Sequence, residues 1–258
     1  LGLTKSSKEL NRKAPLIVIH GPPKTGKTIL ALSISKYFGT GKPLDDVYHI
    51  GADMDALAGC QELNLEVPYA CDVMDAFEDD SGRRRGVVPA LGAIVKEVEE
   101  SPATVKWCIT DTASQLDTIF RNYYANVANQ EKWPLFNSCL NAHVRLFNSL
   151  RLTGMGLIVL CHSKVPAEQD DTQLRLKANS ATAANIIPSL TGQARDLYCG
   201  NCSLEGAYMN KKDPKTKEVT RILYPMGTRE WEGGNRWGLT EEIENPNLRD
   251  ILERKPGS

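Results

Sequence analysis

Residues 16–38 read LIVIHGPPKTGKTILALSISKYF, and the change of pattern within them decides the fold. LIVIH (16–20) is short, apolar and stopped sharply by Gly-Pro-Pro, which predicts a buried strand rather than a helix. TILALSISKYF (28–38) carries apolar residues at helical spacing and is closed by Gly39 and Gly41. Between them, residues 21–28 match the Walker A pattern in the context it requires, a strand before and a helix after. A chance match in a surface Gly-Pro turn is the alternative, and both flanks argue against it.

The residue types in this loop have physical reasons. Gly21 and Gly26 permit backbone conformations that turn amides inward and make an anion-binding nest. The helix beginning near Lys27 aims its free N–H groups at the same point. Lys27 supplies a mobile positive charge for β- and γ-phosphates, and the Thr28 hydroxyl can ligate Mg²⁺. The expected nucleotide-binding set is Gly21, Pro22, Pro23, Lys24, Thr25, Gly26, Lys27, Thr28 and Ile29, with ATP and Mg²⁺ as cofactors.

Outward from this loop, strand and helix patterns alternate. Strands are predicted at 47–53, 66–74, 105–111 and 156–162, and helices at 87–100, 114–129 and 134–152. This is the pattern of an α/β fold with a mostly parallel sheet flanked by helices. Residues 163–194 are polar and aperiodic, with room for a short helix near 180–190, and read as a long functional loop. A further strand is read over 195–208. Residues 207–225 then form two strands around Asp213-Pro214-Lys215, a C-terminal β-hairpin. The expected organisation is an N-terminal extension (1–13), an ATPase core (14–225) and a C-terminal tail (226–258) with a short helix near 246–254.

Three polar residues are predicted at strand ends. Asp111 closes VKWCITD and is the natural Walker B carboxylate for the metal, together with Thr28; Thr112 beside it either orients the metal's water or caps the next helix. Asp53 follows the second strand, with Asp55 close behind. Carboxyl ends of neighbouring parallel strands share one rim, so Asp53 is favoured as the base that positions water, and Asp55 is its rival. His162 closes GLIVLCH on the same rim as a candidate γ-phosphate sensor, or else as a capping histidine.

Composition narrows the class. The 258 residues suit one substantial domain, and 31 Lys plus Arg against 32 Asp plus Glu give a net charge of -1, no nucleic-acid footprint at the level of the whole chain. Seven cysteines, an odd number in a chain of this size, suggest free thiols in a reducing compartment. No secretory leader or apolar run near 18 residues is read, so no membrane partner is expected.

The succession of a Walker A strand, a strand ending in an acid, a strand ending in Asp111 and a strand ending in His162 before a long loop resembles the RecA-like core ATPases. More narrowly, it is similar to phage-encoded ATPases related to RecA and RadA that serve in recombination and single-strand annealing. The resemblance spans residues 14–225. It implies ATP hydrolysis coupled to single-stranded DNA, a homo-oligomer with nucleotide between subunits, and a cytoplasmic location in the host cell. Asp53 falls where the family has its catalytic Glu, and Asp there shortens the reach to water. His162-Ser163 falls at the γ-phosphate sensor, and Lys27 and Asp111 complete the catalytic set. Residues 163–186 fall at a DNA-binding loop, with Lys164, Arg175 and Lys177 its candidate contacts. The other DNA-binding loop falls between the second and third strands or after Asp111. Basic residues that reach a neighbour's nucleotide are sought at Lys211, Lys212, Lys215, Lys217, Arg221, Arg229 and Arg236. Helicase or packaging motor, small-molecule kinase and non-catalytic ATP-binding scaffold are the alternatives. No Asn-Lys-x-Asp motif supports a GTPase.

Other features are read as structural. Cys199-Gly-Asn-Cys202 lacks a second ligand pair and falls in the predicted 195–208 strand, not at a helix start. Arg83, Arg84 and Arg85 follow an acidic run and read as a solvated loop. Trp133, Phe136, Leu140, Val144 and Phe147 recur at helical spacing and read as core packing, and Trp231 and Trp237 as pins for the tail.

Overall fold

β1 (Leu16–Gly21) is buried along its whole length because it has a strand on each side and helices on each face. The computed structural model describes residues 14–53, 56–78, 81–164, 187–190, 192–227 and 233–254. Around β1 run β2 (Val47–Gly51), β3 (Tyr69–Asp72), β4 (Trp107–Asp111), β5 (Gly156–Lys164), β6 (Ile187–Pro188), β7 (Leu204–Lys212), β8 (Val219–Tyr224), β9 (Gly234–Asn235) and β10 (Ile243–Glu244). The sheet order is β10-β8-β7-β1-β5-β4-β2-β3. From β7 to β3 every pairing is parallel, whereas β8 joins β7 and β10 joins β8 antiparallel. The fold is therefore α/β, a mostly parallel sheet flanked by helices.

Alternation along β1 divides the core in two. Leu16 and Val18 face one side with Ile50, Val159, Ile94, Leu116, Phe120 and Leu146; Ile17 and Ile19 face the other with Val47, Ile158, Leu30, Leu248 and Ile251. A strand buried on both faces cannot alternate apolar with polar, which is why LIVIH is continuous. The first side is covered by α4 (Val87–Glu100), α5 (Ala113–Asn126) and α6 (Lys132–Leu152). α4 buries Val87, Leu91, Ile94 and Val98 at the expected spacing and ends before Pro102. α1 (Lys27–Leu32) and the terminal helix α8 (Leu248–Glu253) cover the second side. Asn247 caps α8 through the Arg249 and Asp250 amides, and the Leu248 amide donates to Ser33 Oγ at 2.8 Å. Two short helices, α2 (Ala58–Glu62) and α3 (Val73–Ala76), flank β3.

Several local expectations are corrected. The helix expected over 28–38 stops at Leu32 and continues as turns to Gly41, with both closing glycines at φ 74. The strand expected over 66–74 is only Tyr69–Asp72, because Asp72 caps α3 by accepting from the Met74 amide. The strand expected over 195–208 is a helix, α7 (Gly192–Cys199), before β7 begins at Leu204. Ala194 and Tyr198, one turn apart, are buried, and that packing outweighs strand propensity. Cys199 and Cys202 thus bracket a helix end. Burial pushes the Cys202 thiol up to about 12, which disfavours thiolate chemistry there.

The apolar stripe of α6 is not uniformly core. Phe147 is 7% exposed, but Trp133 and Phe136, at the amino end of the helix, are 75% and 47% exposed. Among the described residues no helix is long and apolar enough to cross a membrane. Phe120, fully buried and edge-on to His143 at 5.1 Å, contrasts with Trp133. Phe120→Ala is expected to lower the unfolding free energy by about 3–5 kcal/mol. Trp133→Ala should change it by less than about 0.5 kcal/mol, both read by urea denaturation.

Candidate functional site

Parallel pairing fixes which residues share the carboxyl rim of the sheet. Gly21 lies opposite His162, Asp111 opposite Leu160 and Gly51 opposite Asp111. Asp53, two residues beyond Gly51, therefore meets Asp111, His162 and the 21–28 loop at one edge.

The loop is held by its own backbone and by the adjoining strands. Gly26 has φ +88 as it enters α1, a conformation that L side chains rarely adopt. A Cβ at Gly21 would collide with the Tyr208 carbonyl oxygen of β7, so only glycine fits there. Thr25 Oγ1 donates to Pro22 O at 3.0 Å. Lys27 folds back, its ammonium donating to Gly21 O at 3.1 Å and to Pro22 O at 2.7 Å. At 6% exposure, burial lowers its pKa, while Asp111, Cys161 and Asp53 draw it back up.

Asp111, 3% exposed, is the centre of the rim. Its Oδ2 accepts from Thr28 Oγ1 at 2.6 Å, and His49 Nε2 lies 3.3 Å from the same oxygen. The tautomer protonated at Nε2 makes His49 a second donor. The Asp111 carbonyl accepts from the Ala52 amide at 2.6 Å, and the Asp111–Thr112 peptide is cis. Thr112 both caps α5, accepting from the Gln115 amide at 3.2 Å, and reaches Asp53 Oδ2 at 3.5 Å.

Asp53 and His162 form the open side. His162 Nε2 is 3.6 Å from Asp53 Oδ2, with the two side chains 30% and 33% exposed. The His162 amide donates to Ser114 Oγ at 2.9 Å, and its buried Nδ1 has no hydrogen-bond partner among the described residues. Next to it, Ser163 Oγ is 2.9 Å from Nδ1 of the buried His20.

The basic candidates separate. Arg221, on β8, lays its guanidinium over the loop of its own chain, with Nε 3.4 Å from where a Gly26 Cβ would stand. Its backbone is clamped there by Asn245, which donates its amide to Arg221 O at 2.6 Å and accepts from the Arg221 amide at 3.3 Å. Lys211, Lys212, Lys215 and Lys217 are exposed on the outer part of the β7–β8 ribbon. Arg236 lies at the opposite end of the sheet, its amide donating to Ser203 O at 2.8 Å beside the start of β1. Lys164 donates to Leu190 O at 2.9 Å. Asp55, Arg175, Lys177 and Arg229, the extension 1–13 and most of the 163–186 loop lie outside the described residues.

Chemically, the rim offers an anion cradle with a cation folded into it, a hydroxyl–carboxylate pair and a solvent-facing acid. Among the described residues no three His, Cys, Asp or Glu side chains cluster to hold a metal ion by themselves. Thr28 and Asp111 fit a hard cation whose remaining ligands are phosphate oxygens and water, the usual manner of Mg²⁺. The chain matches no family model and no curated protein.

Two rim residues have no counterpart in the sequence reading: His49, and Arg221 as a partner of its own loop. The signal for His49 is a titratable residue inside an otherwise apolar strand, which burial tolerates only with a partner. Thr28→Ala and His49→Ala are each expected to cost about 1.5–3 kcal/mol of stability, since each removes a donor from a buried carboxylate. Because they share one oxygen, the double variant should depart from additivity by more than about 0.5 kcal/mol in urea titrations.

Proposed function

We propose that this chain is a Mg²⁺-dependent ATPase with a RecA-like core that acts on single-stranded DNA in recombination, annealing or replication. The observation that carries the reading is the 2.6 Å contact between Thr28 and the buried Asp111, beside Lys27 and the 21–26 loop. A Walker A hydroxyl against a strand-end carboxylate is the pair that a nucleotide-bound Mg²⁺ requires. The position of β5 between β1 and β4 supports the finer, RecA-like assignment, because it sets His162 between the loop and Asp111.

The residues then take distinct roles. Loop amides bind the phosphates of ATP, and Lys27 exchanges two carbonyl acceptors for charged oxygens. Thr28 and Asp111 hold Mg²⁺, which supplies neutralisation of phosphate charge when bound. His49 positions the Asp111 carboxylate. Asp53 orients the attacking water and takes its proton, and its side chain, shorter than that of Glu, is expected to make turnover slow. His162, 3.6 Å from Asp53, senses the outermost phosphate. Arg221 contributes positive charge from within the same subunit, so trans-acting charge in a homo-oligomer falls to the outer ribbon lysines.

ATP turnover measured with and without single-stranded DNA, duplex DNA and RNA tests the reading. Single-stranded DNA should raise it several-fold, and Lys27→Ala or chelation of Mg²⁺ should abolish it. Asp53→Asn should reduce kcat by about 10²–10⁴-fold. Equal turnover without any polymer defeats the DNA assignment, and phosphoryl transfer to a small acceptor replaces ATPase by kinase. An Asp53→Asn variant with intact kcat removes Asp53 as the base.

A further inference from the structure

α6 opens on two aromatic rings one turn apart that cover no core. Trp133 is 75% and Phe136 47% exposed, although Phe147 on the same helix is buried. Exposed rings of this size grouped beside a cavity mark a surface that binds something. The two rings are 6.4 Å apart and inclined at 60°, so neither stacks face to face on the other. With Lys132, Asn137 and Gln193 they line a cavity of about 430 Å³, within the range of about 300–1,000 Å³ usual for sites of small ligands.

The polar groups around these rings define the ligand further. The Arg121 guanidinium lies 5.4 Å from the centroid of Phe136 while donating to Asp117 Oδ2 at 3.1 Å. Arg195 follows Gln193 on α7, and Lys164 is anchored to Leu190, just before that helix. Partial burial lowers the pKa of Lys164, Asp117 opposes this, and Arg121 and Arg195 lower it further. Arg195 adjoins Ala194, which lines the cavity, and Lys164 is tied to the turn before the same helix. Asp117 is taken up by Arg121 and by His143 Nε2 at 3.2 Å, and the exposed Asp196 lies 3.9 Å from Arg195.

We propose that this face binds the bases of a single-stranded nucleic acid, stacked on Trp133 and Phe136, with Arg121, Arg195 and Lys164 along its phosphates. Aromatic faces accept any base, the amides of Asn137 and Gln193 match base edges, and the cations match the backbone. Bases in a duplex are already stacked on one another and are excluded. This inference rests on the nucleic-acid part of the proposed function and extends the contact surface from Lys164 of the 163–186 loop onto α5, α6 and α7.

Anisotropy of labelled oligothymidylate with the full chain, without nucleotide, tests it, with oligouridylate and duplex DNA as parallel arms. Trp133→Ala and Phe136→Ala should each weaken binding about tenfold, whereas Trp133→Phe keeps it within about threefold. Tryptophan emission should be quenched by the oligomer in the wild type and much less in Trp133→Phe. Arg195→Ala and Lys164→Ala should each lower the slope of log affinity against log salt by about 0.7. If the wild type binds and neither ring variant alters affinity or quenching, the platform is wrong and the proposed function stands. If Trp133→Ala changes the sedimentation coefficient and leaves oligonucleotide affinity intact, the face belongs to a second copy of the chain and the proposal falls. If the wild type binds no single strand at any salt, both this proposal and the DNA part of the function fall.

Discussion

A carboxylate buried at the end of a central strand must be given hydrogen-bond donors, and the arrangement around Asp111 follows from that need. A buried acceptor left bare costs more than a formed hydrogen bond returns, so its partners are fixed with little freedom. Thr28 comes from the first turn of α1 and His49 from the middle of β2. The Asp111 oxygen thus ties the 21–28 loop to the far half of the sheet. The backbone of the same residue holds Ala52, and so sets the path of the chain toward Asp53. The carboxylate fixes Thr28 and His49, and the carbonyl of the same residue fixes Ala52.

Lys27 answers the opposite requirement. Its ammonium is removed from water and rests on two neutral carbonyls of its own loop, a weaker setting than a charged oxygen provides. Burial works against its charge while Asp111 and Asp53 support it from outside hydrogen-bond range. A polyanion entering this loop would offer charged acceptors to the lysine and to the loop amides, while Asp111 and Asp53 would repel it unless a cation intervened. Arg221 adds to this from the open side, held by Asn245 where the ribbon passes over Gly26.

What the sequence made legible is what local pattern controls. LIVIH, the 87–100 helix and Asp111 at the end of an apolar run each carry their signal within a few residues, and the parallel sheet then aligns Asp53, Asp111 and His162 without further information. Partners supplied by another segment were not legible. His49 takes its role from an oxygen 62 positions away, and Arg221 reaches Gly26 only because β8 returns beside β7. The helix over Gly192–Cys199, where a strand is expected from 195, is only two turns long and gives too short a period to read; packing of Tyr198 against His143 and Phe147 decides it. Trp133 and Phe136 fit a core stripe by spacing, yet spacing is silent on which turns of a helix are covered.

α5 brings these regions into one rigid element. Ser114, Asp117 and Arg121 recur at i, i+3 and i+7, and so lie along one face of the helix. Ser114 holds the His162 amide at the rim, Asp117 meets the buried His143 of α6, and Arg121 lies over Phe136 at the exposed face. His143 in turn meets the Tyr198 hydroxyl at 3.0 Å on α7, so the helix that lines the aromatic cavity belongs to the same network. Seven residues of helix span about 10 Å, and an α-helix of this length transmits displacement with little bending. The bond that holds the His162 amide is thus made by the same helix that carries Arg121. The rim and the aromatic face are two ends of one helix.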